Sequence, residues 1–97
     1  MKQICILGST GSIGTQGLDV ISQHPDLYEA YALTANNHWQ LLAEQARKFH
    51  PAAVVIANED HYQELTDALS DEPDIKVYAG SEALNEIVEA GPIDMVL

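Results

Sequence analysis

Basic residues are scarce in this chain. Four Lys and Arg stand against fifteen Asp and Glu, a formal charge of −11 over 97 residues. Nucleic acid and anionic membrane surfaces both require a basic face, so neither is an expected partner. Cysteine is scarcer still. Cys5 stands alone and cannot close an internal disulfide, which makes a reducing cytoplasm the expected compartment. No apolar run approaches the roughly 20 residues needed to span a bilayer. Met1-Lys2-Gln3 leads straight into apolar residues, without a secretory pattern or a small-residue cleavage site. With 46% apolar residues and four tyrosines, the composition suits one packed globular domain. The acids (Asp26, Glu44, Glu59, Asp60, Asp71, Glu72, Glu86, Glu89) are scattered and read as a solvated surface.

Short apolar runs alternate with amphipathic ones. Residues 2–7, 28–34, 52–57, 75–78 and 93–97 read as strands, the first and third apolar enough to be buried on both faces. Helices are expected over 12–23, 38–49, about 58–69 and 81–89. In the first, Ile13, Leu18 and Ile21 form the packing stripe; in the second, Trp39, Leu42, Ala46 and Phe49 do. Pro25 and Pro51 end these two helices, Asn58-Glu59-Asp60 offers caps for the third, Ser81 caps the fourth, and Gly91-Pro92 stops it. Strand-helix alternation of this kind implies right-handed crossovers and a doubly wound parallel α/β sheet, Rossmann-like. A two-halved dinucleotide fold needs about as much chain again. Residues 1–97 therefore read as the N-terminal part of a dinucleotide-binding domain, incomplete at its C-terminal end.

The stretch Ile4-Cys5-Ile6-Leu7-Gly8-Ser9-Thr10-Gly11-Ser12-Ile13-Gly14 runs from a strand through a glycine-punctuated turn into a helix. Such a turn gathers backbone N–H groups at a helix N-terminus, where a phosphate is favoured. Gly8, Gly11 and Gly14 have the spacing for three jobs: the tight bend, the close approach to a pyrophosphate, and the close packing of helix on strand. Ser9, Thr10 and Ser12 add hydroxyls beside the amides. The alternative is a tight turn without a ligand.

Two absences narrow the ligand. No Gly-Lys-Ser/Thr follows the turn, so this is not a P-loop and nucleotide hydrolysis is not expected. No acid ends the second strand, where NAD-selective folds place one on the ribose 2′-hydroxyl. That position reads Leu33-Thr34-Ala35-Asn36-Asn37-His38, and its amides and imidazole can donate to a 2′-phosphate. NADP is favoured over NAD on this ground, although no Lys or Arg sits in the loop and Asn36-Asn37 also suits an ordinary turn.

Residues 1–21, above all Leu7 to Gly14 followed by Leu18-Asp19-Val20, closely resemble the N-terminus of 1-deoxy-D-xylulose 5-phosphate reductoisomerases. The Pro25 helix end and Ala32-Leu33-Thr34-Ala35 fit as well; over the rest of the chain the resemblance is less specific. It implies an NADPH-dependent oxidoreductase of non-mevalonate isoprenoid biosynthesis, a cytoplasmic homodimer using Mg²⁺ or Mn²⁺. Such an enzyme reduces and rearranges deoxyxylulose phosphate to 2-C-methyl-D-erythritol 4-phosphate. The implied cofactor contacts are Thr10, Gly11, Ser12 and Ile13 around the pyrophosphate, to which the reading of the glycine turn adds Gly8, and Asn36, Asn37 and His38 around the 2′-phosphate. Many members carry Gly-Lys-Asn in that loop, where this chain has Asn-Asn-His. The family's metal-binding acids, substrate-binding residues and lid fall beyond residue 97, so this segment is expected to hold cofactor and to turn over nothing alone.

Other readings remain. Thr10-Gly11-x-x-Gly14-x-x-Gly17 also fits extended short-chain dehydrogenases, with similar turns in semialdehyde dehydrogenases, although no Tyr-x-x-x-Lys pair occurs. A non-catalytic nucleotide-binding module fits the acidic surface equally. His24, His38, His50 and His61 are spaced by 14, 12 and 11 residues, without an i, i+4 pair for a metal. Cys5 reads as a small core residue rather than a nucleophile. Trp39 follows the loop directly and is a candidate neighbour of the adenosine, and Asp19 reads as a local helix partner.

Overall fold

Ile4, Cys5 and Ile6 have no exposed face, and they build β1 (Lys2–Ile6) into the interior of a sheet. The computed structural model describes residues 2–89 and 93–97. After β1 come α1 (Ser12–Gln23), β2 (Tyr28–Ala35), α2 (Trp39–Phe49), β3 (Ala53–Ile56), a 3-10 turn at Glu59–His61, α3 (Tyr62–Ala68), β4 (Lys76–Ala79), α4 (Ser81–Val88) and β5 (Met95–Val96). The five strands lie in the order β4-β3-β2-β1-β5, and every pairing is parallel. This is the doubly wound α/β sheet that the alternation implied. Successive strands step outward from β1 to β4, and β5 then returns to the far side of β1. The reversal puts a topological switch point beside β1, where open α/β sheets bind ligands beyond the carboxyl ends of their strands.

Period-two alternation decides which helix covers which face. Ile4, Ile6, Leu33, Ala35, Val54 and Ile56 pack with Leu18 and Ile21 of α1, Leu42, Ala43 and Ala46 of α2, and Leu65 of α3 in one cluster. The opposite face carries smaller buried side chains, Cys5, Ala32, Thr34, Ala53 and Val55. α4 crosses this face, and its Leu84 lines a cleft with Thr34 and Val55. No residue of α4 is fully buried. The register between β1 and β2 steps at Tyr31: Ile4 pairs with Ala30, and Cys5 with Ala32. Among the described residues, no helix is long and apolar enough to cross a membrane.

Three local expectations are corrected. Ile13 is 82% exposed and leaves the α1 packing stripe to Gly14, Leu18 and Ile21, because the helix enters the sheet with Gly14 facing it. The third helix is broken at its start: Asn58 accepts from the Asp60 N–H and caps a 3-10 turn before α3 begins. Ser81 is the first residue of α4 rather than its cap; the cap is Gly80, at φ +96, which leaves that end without a side-chain acceptor. The stop read at Gly91-Pro92 lies outside the described residues.

The ends of α2 and α3 are joined on the surface by Arg47. It donates Nη2 to Asp71 Oδ1 at 2.7 Å and Nη1 to Asp71 Oδ2 at 3.1 Å, and also reaches the Ala68 carbonyl. Those hydrogen bonds hold the Asp71 carboxyl below its ordinary value of 3.8. A lowered native pKa adds stability above pH 3.8 that is lost as the pH falls through the native value. Both side chains are exposed, so the contribution is small. A carboxyl NMR titration should place Asp71 below 3.8, and Arg47→Ala should raise it towards that value, with the Asp71 backbone hydrogen bond still holding it down in part. An Asp71 titration unchanged by that substitution would remove Arg47 as the cause.

Candidate functional site

The turn between β1 and α1 is shaped by three glycines with separable roles. Gly8 stands at φ +66, in the left-handed region that β-carbon-bearing residues avoid. Its carbonyl accepts from the Gly11 N–H at 2.9 Å and closes the turn. Gly14 packs so closely that a Cβ there would lie 2.3 Å from the Gly8 oxygen and 2.6 Å from the Ser9 Cα. Gly11 is extended (φ −82, ψ 175) and open, with only the Gly8 oxygen within 3.4 Å of a built Cβ. Nothing in its local geometry requires glycine, so its bare backbone is available to a ligand.

Ser9 holds this turn to the rest of the domain. Its N–H donates to the Thr34 carbonyl at 2.8 Å, and the preceding Gly8 N–H donates to Thr34 Oγ1 at 2.9 Å. Ser9 Oγ donates to Gln45 Oε1 at 2.7 Å, while Gln45 Nε2 donates to the Ser9 carbonyl at 2.8 Å. Ser9 is completely buried and Gln45 nearly so. The Ser9 hydroxyl therefore faces the interior, contrary to its reading as a donor beside the amides. Thr10 and Ser12 remain outside at the rim. Sequence reasoning missed Thr34 and Gln45 as supports. Gln45 did carry a signal: a polar residue three positions after Leu42, on the apolar stripe of α2.

α1 starts without a side-chain cap, since Gly11 occupies the N-cap position. The Thr15 N–H is the first to find its helical acceptor, the Gly11 carbonyl at 2.9 Å, which also accepts from Thr15 Oγ1 at 2.6 Å. The amides of Ser12, Ile13 and Gly14 have no acceptor among the described residues. Three unsatisfied N–H groups and the positive end of the helix dipole converge at one point. That arrangement attracts an anion of phosphate size.

The second predicted segment lies one strand away. Asn36, Asn37 and His38 follow directly on β2, two residues past the Thr34 that anchors Gly8 and Ser9, and all three are exposed. The two groups of site residues are thereby brought to the same carboxyl edge of the sheet. The loop after β3 fixes this segment: Asn58 N–H donates to the Asn36 carbonyl at 3.0 Å, and Asn58 Nδ2 to Asn37 Oδ1 at 2.7 Å. With its oxygen so engaged, the Asn37 amide keeps both N–H donors for the outside. Between the segments, Gly8, Ala35, Asn36 and Leu84 border a cleft of about 160 Å³, and a wider groove of about 720 Å³ runs from Gly11 and Ser12 between α1 and α2.

Charge and redox chemistry are thin here. Burial pushes the Cys5 thiol up, consistent with a core residue. Among the described residues, no three His, Cys, Asp or Glu side chains gather in a way that could hold a metal ion. Trp39 packs half-buried against the core, and Asp19 accepts from Gln23 Nε2 at 3.1 Å. The turn and the β2 loop can thus offer neutral donors to an anion, and Lys48 lines the groove that runs from Gly11 and Ser12.

Comparison with known proteins places this geometry. A family model described as 1-deoxy-D-xylulose 5-phosphate reductoisomerase matches residues 4–97. The chain is 72% identical over 96 residues to the 1-deoxy-D-xylulose 5-phosphate reductoisomerase of Bacteroides thetaiotaomicron, covering 99% of this chain and 24% of that protein. It is 71% identical over 96 residues to the enzyme of that name from Phocaeicola vulgatus, covering 99% and 25%. Among solved structures, a DOX-P reductoisomerase in complex with magnesium superposes with a TM-score of 0.93 at 35% identity, over 99% of this chain and 24% of that one. The Zymomonas mobilis reductoisomerase in complex with NADPH superposes with a TM-score of 0.88 at 36% identity, over 94% and 24%. The chain thus spans about a quarter of the length of the relatives it matches.

The supports can be tested apart from any ligand. Gly14→Ala forces a methyl into the Gly8 and Ser9 backbone and should cost roughly 1–3 kcal/mol in urea unfolding. Gly17→Ala, whose Cβ would meet only the Leu97 and Ile6 side chains at 3.4 and 3.6 Å, should be tolerated. Equal losses at both positions would contradict the contact. Gln45→Ala leaves the buried Ser9 hydroxyl and carbonyl only the longer contacts to the Thr34 carbonyl at 3.3 Å and to Thr15 Oγ1 at 3.5 Å, and should cost about 1–3 kcal/mol by the same measurement.

Proposed function

From membership of the 1-deoxy-D-xylulose 5-phosphate reductoisomerase family, to which this chain belongs, we propose that residues 1–97 form the NADPH-binding portion of such an enzyme. The observation that carries the proposal is the cluster of uncapped amides at Ser12, Ile13 and Gly14 beside the open backbone of Gly11. These groups fit a pyrophosphate: they supply hydrogen bonds without a counter-charge and sit at the switch point of the sheet. In the proposed assignment, Gly8, Thr10, Gly11, Ser12 and Ile13 surround the pyrophosphate, and Asn36, Asn37 and His38 surround the adenosine 2′-phosphate. Leu84 and Ala35 would add apolar contact for the adenosine from the cleft they border. Family membership sets aside the short-chain and semialdehyde dehydrogenase alternatives.

The role of this segment is to bind and aim the dinucleotide. When bound, NADPH supplies the hydride for reduction of a deoxyxylulose phosphate. The backbone amides hold the pyrophosphate, the β2 loop holds the adenosine end, and the buried Ser9–Gln45 pair keeps the distance between them fixed. Mg²⁺ or Mn²⁺ and the substrate site belong, in this reading, to the part of the relatives' length that this chain does not span. In this reading the segment binds cofactor but does not turn substrate over. The full enzyme is a cytoplasmic homodimer that forms 2-C-methyl-D-erythritol 4-phosphate for isoprenoid synthesis.

Titration with NADPH, followed by amide NMR, should shift Gly11, Ser12 and Ile13 first. Gly11→Val should weaken binding at least about tenfold, or 1.4 kcal/mol. It should leave the circular dichroism spectrum unchanged, because its backbone angles suit any residue. Shifts confined to other regions, or an undiminished affinity in the variant, would make the turn purely structural.

A further inference from the structure

We propose that Gln45 is a positioning residue for the pyrophosphate: by holding the Ser9 carbonyl it aims the Thr10 N–H outward as a further donor to the cofactor. The inference rests on the NADPH reading above and concerns a residue that acts through the backbone it holds. The Ser9–Thr10 peptide is planar and trans, so its carbonyl and its N–H point in opposite directions. Gln45 Nε2 donates to that carbonyl at 2.8 Å from α2, where Ser9 is completely buried and Gln45 is 8% exposed. The Thr10 N–H at the other end of the plane is turned away from Gln45 and has no acceptor among the described residues. Thr10 is half-buried and borders the groove with Gly11 and Ser12.

From Leu7 to Ser12 each peptide plane is pinned, and the pins differ. Thr34 takes the N–H of Gly8 and of Ser9, and the Gly8 carbonyl takes the N–H of Gly11, so these three donors are spent inside the protein. The Gly11 carbonyl accepts from the Thr15 N–H at 2.9 Å and from Thr15 Oγ1 at 2.6 Å, which leaves the Ser12 N–H free at the other end of its plane. Gln45 does for the Ser9 carbonyl what the first turn of α1 does for the Gly11 carbonyl. A carbonyl that accepts a hydrogen bond also polarises its own peptide, which strengthens the donor at the far end. Among the described residues the other donor to the Ser9 carbonyl, Thr15 Oγ1, stands at 3.5 Å and is engaged with Gly11. The second bond of the pair, Ser9 Oγ to Gln45 Oε1 at 2.7 Å, fixes the amide so that its nitrogen faces the carbonyl.

The test is calorimetric titration of the intact protein with NADPH and with adenosine 2′-monophosphate, which has no pyrophosphate. Gln45→Met keeps the length of the side chain and removes the donor. It should weaken NADPH binding about tenfold, the loss of one hydrogen bond to a charged acceptor, and leave adenosine 2′-monophosphate within about twofold. An undiminished NADPH affinity, or an equal loss for both ligands, would reduce Gln45 to a structural support and overturn the inference. Amide NMR of the unaltered protein is a second measurement that needs no folded variant. On addition of NADPH the Thr10 amide should move together with those of Gly11, Ser12 and Ile13. A Thr10 amide that stays still while the other three move would overturn the role of Gln45 and leave the cofactor reading intact. If none of the four moves, the cofactor reading falls and the inference falls with it.

Discussion

Where β1, β2 and α2 meet, Ser9 and Gln45 exchange two hydrogen bonds of 2.7 and 2.8 Å in a fully buried setting. The orientation of the α1 amides depends on that exchange. A glycine-rich turn is floppy when left to itself, since glycine gives up more backbone freedom on ordering than any other residue. Thr34 fixes the turn to the end of β2, and Gln45 fixes it to α2. Low local dielectric strengthens such a network when every member is satisfied. The helix that supports the glycine turn is also the helix that starts at the loop after β2. One rigid element thus sets the spacing of both proposed anion contacts.

The charge distribution imposes a second constraint. A net charge of −11 would repel a dinucleotide at long range, so the proposed binding must rely on contacts too short for solvent to screen. Uncapped helix amides suit that demand, because they attract an anion without adding a side-chain cation. The open geometry of Gly11 allows the approach, and the left-handed Gly8 aims the chain towards it.

Much of the fold was legible because its signals are local. Pro25 and Pro51 ended the first two helices near the expected residues, and the parallel sheet followed from strand-helix alternation. The failures were also informative. Ile13 looked like a stripe residue by hydrophobicity, yet the close approach of Gly14 to Gly8 rotates it outward to 82% exposure. Ser81 carried the chemistry of a cap, but the chain turned one residue earlier, at Gly80. Ser9 looked like a ligand donor until its partner on α2, 36 residues away, was in view. Only the Ser9 miss turned on a contact far off in sequence; those at Ile13 and Ser81 were decided by the backbone of near neighbours.

By itself, the sequence determined the class of fold, the position of the glycine turn, the absence of a P-loop lysine and of an acid after β2, and a close resemblance to one enzyme family. These follow from residue identity at short range, where periodicity, proline, glycine and motif spacing act. Only the tertiary structure decided which glycine does which job and which hydroxyl faces inward. Those outcomes depend on how β1, β2, α1 and α2 pack, and packing between distant segments leaves little trace in any one of them.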